Sequence, residues 1–103
     1  MRYLIWIVLF FYFKAETDSS IMESQREAIL SQLSTIKTVK WVKAGAPFGI
    51  ERDVVDNEYG MSLHLEVESK ADLDAYQTDP VHLAFVGRFK ANWVKIRVFD
   101  TAI

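Results

Sequence analysis

The sequence has no cysteine, and it has only two prolines and four glycines. Without thiols the chain cannot form disulfides or bind zinc through thiolates, which excludes a disulfide-stapled scaffold and cysteine-based zinc sites. The lack of cysteine also fits a cytoplasmic protein, and we expect that location. A length of 103 residues suits one hydrophobic core, so we expect residues 1–103 to form a single domain.

The sequence also lacks an excess of charge of one sign. Twelve Lys and Arg residues stand against fourteen Asp and Glu residues, and the formal net charge is −2. Because the basic residues are scattered among acidic ones, nothing points to a nucleic-acid partner. The two histidines, His64 and His82, are far apart and share no carboxylate at ligand spacing. We therefore expect no metal, no cofactor and no nucleic-acid or membrane partner.

The longest apolar run, residues 3–13, is too short to cross a bilayer. It is rich in β-branched and aromatic residues, and residues 14–18 offer no small-x-small cleavage site, so we interpret it as a strand rather than a signal peptide. Alternation predicts one face made of Trp6, Val8, Phe10 and Tyr12. The other face would carry Ile5, Ile7, Leu9, Phe11 and Phe13. A strand that is apolar on both faces must lie inside its sheet with both sides covered.

A first helix is predicted to begin with Ser19 or Ser20 as its N-cap and to run to about Lys37. Its apolar residues recur at helical spacing and predict a buried stripe: Ile21, Met22, Ile29, Leu30, Leu33 and Ile36. The polar residues of this segment are assigned to the solvated surface: Ser24, Gln25, Arg26, Glu27, Gln32 and Lys37.

Three more strands and a second helical region follow. Residues 38–44 alternate like a strand with one wet face, and the acidic segment 50–58 is predicted to be a flexible loop. Residues 59–68 alternate again, with His64 on the polar face as a solvated or cross-strand hydrogen-bonding residue, and residues 94–99 form the last strand. The order β-α-β-β-α-β predicts a ferredoxin-like α+β fold, in which both helices lie on one face of a four-stranded antiparallel sheet. The first and third strands are central in that arrangement.

The second apolar face of the first strand predicts an assembly. The two helices can cover only one face, and leaving large side chains of the other in water would forfeit roughly 1.5–3 kcal/mol each. We therefore expect a homodimer through the sheet face of residues 3–13. Its two sheets would pack face to face or close into a dimeric α/β barrel.

Residues 76–82 place two proton-transfer groups at a forced bend. Pro80 should end the preceding helix at or before Asp79, and Asp79 can N-cap a new helix that has Pro80 in its first turn. The bend lets Tyr76 and His82 converge, and a phenol beside an imidazole suits acid–base chemistry on a carbonyl compound. The alternative is that both residues only pack and cap. In the helix that follows, Gly87 is predicted to mark a close approach to another backbone.

Motifs along most of the chain resemble the stress-responsive A/B barrel family, known as Dabb. They are the apolar strand ending Phe13-Lys14, Tyr59 leading to Val67-Glu68-Ser69, Leu73-Asp74-Ala75-Tyr76, the run Asp79 to Phe85, and residues 93–100. The resemblance implies a dimeric α/β barrel. The second half is similar to olivetolic acid cyclase, a plant enzyme that closes a linear polyketide thioester by an aldol reaction. That similarity implies that His82 acts as a base and Tyr76 as a donor to the substrate carbonyl.

The chain departs from this pattern at several positions. Asp79 stands where the family usually has the first histidine of His-Pro-x-His, and Trp6 or Ile7 replaces a histidine that many members carry early in the first strand. The cyclase takes aromatic pocket residues from its first helix. The aligned region here offers Gln25, Arg26, Ala28 and Ile29. We therefore expect a cavity of a different shape.

Two functions remain open. The first is a homodimeric protein that binds a small apolar or carbonyl-containing ligand without catalysis, in which Asp79 and a backbone-bonded His82 fix the helix break. The second is a cofactor-free polyketide cyclase-like or lyase-like enzyme, in which His82 takes a proton and Tyr76 stabilises the oxyanion. The enzyme hypothesis predicts a closed apolar pocket between sheet and helices, with both groups at its wall. The candidate ligand-binding residues are Leu63, Leu83, Phe85 and Trp93.

Overall fold

The structure is a computed structural model that describes residues 4–103, so residue 3 of the predicted first strand lies outside the described residues. The elements in chain order are β1 (Ile5–Phe13), α1 (Ser19–Ser31), β2 (Trp41–Gly45), β3 (Met61–Val67), α2 (Lys70–Thr78), α3 (Pro80–Phe89) and β4 (Trp93–Ala102). Short 3-10 turns follow α1 at Leu33–Thr35 and α3 at Lys90–Asn92.

The four strands form one antiparallel sheet in the order β2-β3-β1-β4. The predicted ferredoxin-like topology is confirmed, with β1 and β3 in the centre. Because residues paired across an antiparallel sheet share a face, the register decides which side chains meet. Ile7 pairs with Leu65 and Asp100 on the helix side, whereas Val8 pairs with His64 and Phe99 on the other.

The hydrophobic core lies between the sheet and the helices. Alternate residues of β1 and β3 are buried there against apolar side chains of α1 and α3, as the period-two and helical patterns predicted. The most deeply buried of these side chains are Phe11, Ile29, Leu33, Leu63, Leu65 and Val67. Leu30 was predicted to join this stripe, but it is 38 % exposed.

Both ends of α1 differ from the prediction. The N-cap is Asp18, whose backbone is extended and whose carboxylate accepts a hydrogen bond from the Ser20 amide at 3.2 Å. The α-helix ends at Ser31 instead of Lys37. At that end the Ser34 hydroxyl bonds the Leu30 carbonyl and the Thr35 hydroxyl bonds the Gln32 carbonyl, both at 2.6 Å. Hydroxyls that bond nearby carbonyls compete with the helical pattern, which accounts for the tighter turn after α1.

Three other predictions need correction. The second strand begins at Trp41 and not at residue 38, and β4 extends to Ala102, beyond its predicted end at residue 99. Gly87 does not mark a close approach, because a Cβ built there meets nothing within 4 Å. Within the described part of the chain, no helix reaches the length and hydrophobicity needed to cross a bilayer.

The sheet face opposite the helices, here called the open face, is apolar along β1. Trp6 is 41 % exposed there, and Phe99 of β4 is 45 % exposed. The connection 46–60 covers one end of this face, where Tyr59 packs edge-on against Phe10 with ring centroids 4.8 Å apart. Asp56 accepts a hydrogen bond from the Tyr12 hydroxyl at 2.7 Å. Residues 4–103 leave the other end, around Trp6 and Val8, uncovered.

Candidate functional site

The break between α2 and α3 positions the site. Ser69 caps α2 by accepting from the Asp72 amide at 3.1 Å, and α2 ends at Thr78. Asp79 is extended (φ −61°, ψ 135°), and its carboxylate accepts from the Val81 amide at 2.8 Å. Pro80 is the first residue of α3, where its missing N–H removes no helical hydrogen bond. The break lies where the proline chemistry predicted it.

This break brings Tyr76 and His82 together. Their ring centroids are 4.5 Å apart and the ring planes are tilted by 45°. Tyr76 is 3 % exposed, and its hydroxyl has no hydrogen-bond partner among the described residues. Burial raises the pKa of Tyr76 above its usual range, because the phenolate is disfavoured away from water. The phenol therefore stays neutral and is free to donate.

A backbone hydrogen bond fixes the tautomer of His82. Its Nδ1 lies 3.0 Å from the Gln77 carbonyl oxygen. Since a carbonyl can only accept, Nδ1 carries the proton, and in the neutral ring Nε2 is left as an acceptor. The non-catalytic interpretation expects this backbone bond. The same bond orients the ring and leaves a basic nitrogen, as acid–base chemistry requires.

An apolar cavity of about 240 Å³ lies between the sheet and the α2–α3 pair. Tyr76 and His82 both line it. Leu63, Phe85 and Trp93 line it as well, whereas the fourth candidate ligand-binding residue, Leu83, is 56 % exposed and lies outside the lining.

The charge of the cavity wall is one-sided. Asp100 of β4 contributes a carboxylate to the lining, and none of the described lining residues is Lys or Arg. Such a wall disfavours an anionic ligand, because the anion would lose its hydration with no cation to replace it. In β1, Ile7 lines the cavity, while Trp6 lies on the open face.

Gln25 supports the cavity wall and was wrongly assigned to the surface. Its side chain is fully buried, and its Oε1 accepts a hydrogen bond from Trp93 Nε1 at 2.8 Å. Its Nε2 lies 3.6 Å from Met61 Sδ. Gln25 stands four residues after Ile21 and four before Ile29, so helical spacing places it inside the apolar stripe. That spacing was the signal that could have identified it.

A larger concavity, here called the sheet-face groove, lies on the open face and has a volume of about 690 Å³. Its walls include Trp6 and Trp41, whose rings meet edge to face with centroids 5.9 Å apart. Trp6 Nε1 donates to Glu66 Oε1 at 2.7 Å, which fixes the indole. His64 also lines the groove. Its Nε2 lies 2.9 Å from Ser62 Oγ on the same strand, so its partner is not across the sheet, and burial lowers the pKa of the imidazole.

Comparison with known proteins gives the fold and the family. A hydroxynitrile lyase from Passiflora edulis superposes with a TM-score of 0.84 at 17% identity, over 97% of this chain and 93% of that one. A dimeric ferredoxin-like protein of unknown function from Thermobifida fusca gives 0.82 at 16% identity, over 98% and 92%. A Dabb family protein from Mesorhizobium loti gives 0.78 at 21% identity, over 96% and 95%.

A search of curated proteins found no match. The family model described as the stress responsive A/B barrel domain matches residues 7–103, which is nearly the whole chain. The motifs around the helix break and in the last strand fall within that match, as does the first strand from Ile7 onward. The chain therefore belongs to the stress responsive A/B barrel domain (Dabb) family.

Proposed function

We propose that the protein is a homodimer that binds a small neutral ligand, apolar or carbonyl-containing, in the cavity beside Tyr76. The observation that carries this proposal is the Tyr76 hydroxyl, which is buried in the cavity wall and has no hydrogen-bond partner among residues 4–103. A buried hydroxyl that makes no hydrogen bond costs about 1–3 kcal/mol. A ligand oxygen that accepts from this hydroxyl would recover that energy.

The shape and charge of the cavity narrow the ligand class. A volume of about 240 Å³ suits a short chain or a single ring. Its apolar walls favour hydrocarbon, and the phenol supplies one donor for a carbonyl oxygen. Because no described residue of the lining is Lys or Arg and Asp100 adds a carboxylate, a ketone or aldehyde should bind better than a carboxylate of the same size.

Binding is tested with three probes of similar size: acetophenone, ethylbenzene and benzoate. We expect acetophenone to shift the indole NMR signal of Trp93 at lower concentration than the other two. Tyr76→Phe should weaken acetophenone binding by roughly 2–12-fold, as expected for one neutral hydrogen bond. It should leave ethylbenzene unaffected. A wild-type protein that binds none of the probes, or a Tyr76→Phe variant that keeps the preference for the ketone, would contradict the proposal.

A second candidate function is proton transfer at a carbonyl compound. It is supported by the Nδ1–Gln77 bond, which in the neutral ring of His82 leaves Nε2 as the acceptor, and by the neutral phenol of Tyr76 beside that ring. In this reaction His82 removes a proton from the carbon beside the carbonyl, and Tyr76 donates a hydrogen bond to the oxyanion that forms. The hydroxynitrile lyase of Passiflora edulis has the same fold, so that fold carries an enzyme in another protein.

Deuterium exchange at the methyl group of acetophenone, followed by NMR, tests this candidate. A general base contributes typically 10²–10⁴-fold, so His82→Gln should lower the rate by about 100-fold or more. His64→Gln is the matched control, because that histidine lies on the opposite face of the sheet, and it should exchange like the wild type. Exchange at the buffer rate with wild-type protein would leave ligand binding as the function and exclude this one.

The homodimer in this proposal forms through the open face. Exposed Trp6 and Phe99 support it, as do the similar structures described as dimeric. Sedimentation equilibrium should give twice the chain mass of 11.9 kDa. Phe99→Glu should shift the protein toward monomer, because a carboxylate would have to be buried. A wild-type monomer at high concentration would contradict the dimer.

A cytoplasmic location belongs to the same proposal and is tested by cell fractionation.

A further inference from the structure

The connection 46–60 carries the two most exposed large apolar side chains in the described part of the molecule. Phe48 is 92 % exposed and Val54 is 79 % exposed. Burial of such side chains is worth roughly 1.5–3 kcal/mol each. Transfer of the exposed Phe48 side chain from water into an apolar site on another molecule is therefore favourable.

This connection is anchored at its returning end. Asn57 Nδ2 donates to the Ile50 carbonyl at 2.8 Å, and the Val55 amide donates to the Arg52 carbonyl at 2.9 Å. Asp56 is bonded to Tyr12 at 2.7 Å on the open face of its own sheet. The returning half thus covers its own chain, whereas the outgoing half, with Phe48, stays exposed.

The sheet-face groove is the complementary apolar site. Trp6 and Trp41 line it at the end of the sheet where β2 begins, and the anchored connection covers only the opposite end. Lys43 is an exposed cation of the described lining, and Glu66, beside the groove, is bonded to Trp6 Nε1. The outgoing half of the connection carries the exposed carboxylates Glu51 and Asp53 on either side of Arg52, so its net charge is −1. Either carboxylate can oppose the Lys43 ammonium group of a partner.

Symmetry brings these two surfaces together. In an isologous dimer a two-fold axis lies in the plane between the two sheets. If that axis is perpendicular to the strands, β2 of one copy packs over β2 of the other. The two β2 strands then run in opposite directions. The connection leaves β2 at Gly45, so it meets the partner sheet at the end where Trp41 and Trp6 lie. Each copy then offers one projecting side chain and one groove.

We propose that Phe48 of each subunit occupies the sheet-face groove of its partner, against Trp6 and Trp41, with Glu51 or Asp53 beside the partner's Lys43. This inference rests on the proposed homodimer and specifies the contact that stabilises its interface. The groove of one chain is thus completed by an aromatic side chain of the other. The cavity beside Tyr76 lies on the other side of the sheet and stays open to its ligand.

The first test measures the dimer dissociation constant by sedimentation velocity. Phe48→Ala should raise it by roughly tenfold or more, as expected for an aromatic anchor at an interface. Leu30→Ala is the matched control, because Leu30 is an exposed apolar residue of α1 on the helix side. It should leave the dissociation constant unchanged. Equal dissociation constants for Phe48→Ala and wild type would overturn the inference.

The second test uses the absence of cysteine, which makes single-cysteine crosslinking specific. Lys43→Cys and Glu51→Cys variants that carry tags of different size are mixed and treated with a short bismaleimide. We expect a crosslinked heterodimer, and we expect little from Ala84→Cys mixed with Glu51→Cys, since Ala84 lies on α3. A wild-type dimer without the first crosslink would overturn this inference alone. A wild-type monomer would overturn the homodimer as well.

Discussion

The buried tyrosines Tyr12 and Tyr76 differ in the hydrogen bonding of their hydroxyl groups. The Tyr12 hydroxyl donates to Asp56, whereas the Tyr76 hydroxyl has no partner among residues 4–103. The Tyr12 bond also favours the carboxylate, so that the pKa of Asp56 falls below its usual range. The same kind of group is therefore structural at one position and available to a ligand at the other.

Removing each hydroxyl should have opposite effects on stability. Tyr76→Phe deletes a buried polar group that makes no bond, so the free energy of unfolding should stay constant or rise by up to about 1 kcal/mol. Tyr12→Phe deletes a bonded hydroxyl and should lower it. Urea denaturation of the two variants beside the wild type checks both expectations. A loss of more than about 1 kcal/mol in Tyr76→Phe would show that its hydroxyl is bonded within the protein.

Residue identities in the site were predictable only where local chemistry fixes them. Tyr76 and His82 could be paired from the sequence because a proline four residues after Tyr76 forces the bend between them. Gln25 could not be paired with Trp93, because the two residues are 68 positions apart and meet only in the packed fold. Trp6 and Ile7 lie on opposite faces of β1, and the cross-strand partners of each are set by the sheet register, which brings together residues far apart in the chain.

At the level of the elements, boundaries with strong chemistry were predicted and the others were not. Asp79-Pro80 acts through a capping side chain and a fixed φ, so α2 ends and α3 begins where expected. The end of α1 depends on serine and threonine hydroxyls that bond back to carbonyls, and such bonds do not disturb the apolar pattern. A periodic pattern alone therefore overextended that helix.

The cap at Asp79 should support both the stability of α3 and the placement of His82. Asp79→Ala removes the acceptor for the Val81 amide and should lower the free energy of unfolding by about 1 kcal/mol. Asp79→Ser keeps a capping oxygen and should behave nearly like the wild type, which makes it the matched control. Urea titration measures both variants. Equal losses for Ala and Ser would show that the cap is not the stabilising feature.

Gly87 and Gly60 should respond oppositely to an added methyl group. Gly87 lies in α3 with open space at its Cβ position, so Gly87→Ala should raise the free energy of unfolding by about 1 kcal/mol. At Gly60 an added Cβ would lie 2.5 Å from the Phe13 ring, so Gly60→Ala should be destabilising. Thermal denaturation distinguishes the two. A destabilised Gly87→Ala variant would indicate that this surface is packed in solution.

At the level of the whole molecule, the predicted sheet order and dimer both rested on the apolar residues that β1 has on its two faces. A strand apolar on both faces had to be central, and the sheet order places β1 between β3 and β4. The sequence could not reveal that the chain covers one end of the open face itself, because Tyr12 and Asp56 are 44 residues apart. The open face is therefore divided into a self-covered end and an open groove, which is where the proposed partner binds.

Acidification should weaken the proposed dimer through His64. Burial lowers the pKa of His64 below its ordinary value of 6.5, so in this region of pH the unfolded chain binds more protons than the folded one. Folding stability should therefore fall as pH decreases through 6.5 toward the folded-state pKa. His64 pairs across the sheet with Lys43 and Val8 and bonds Ser62, so a charged imidazole would meet an ammonium group and no carboxylate among these partners.

A covering subunit would bury His64 further, and the dimer dissociation constant should rise together with the loss of stability as pH falls. Sedimentation velocity from about pH 8 to about pH 5 measures this dependence in the wild type and in His64→Gln, which stays neutral throughout. The dependence should be smaller in His64→Gln and retained in His82→Gln, since His82 lies on the other side of the sheet. Identical pH profiles for His64→Gln and wild type would mean that the imidazole stays in water, and the open face could not then be the dimer interface.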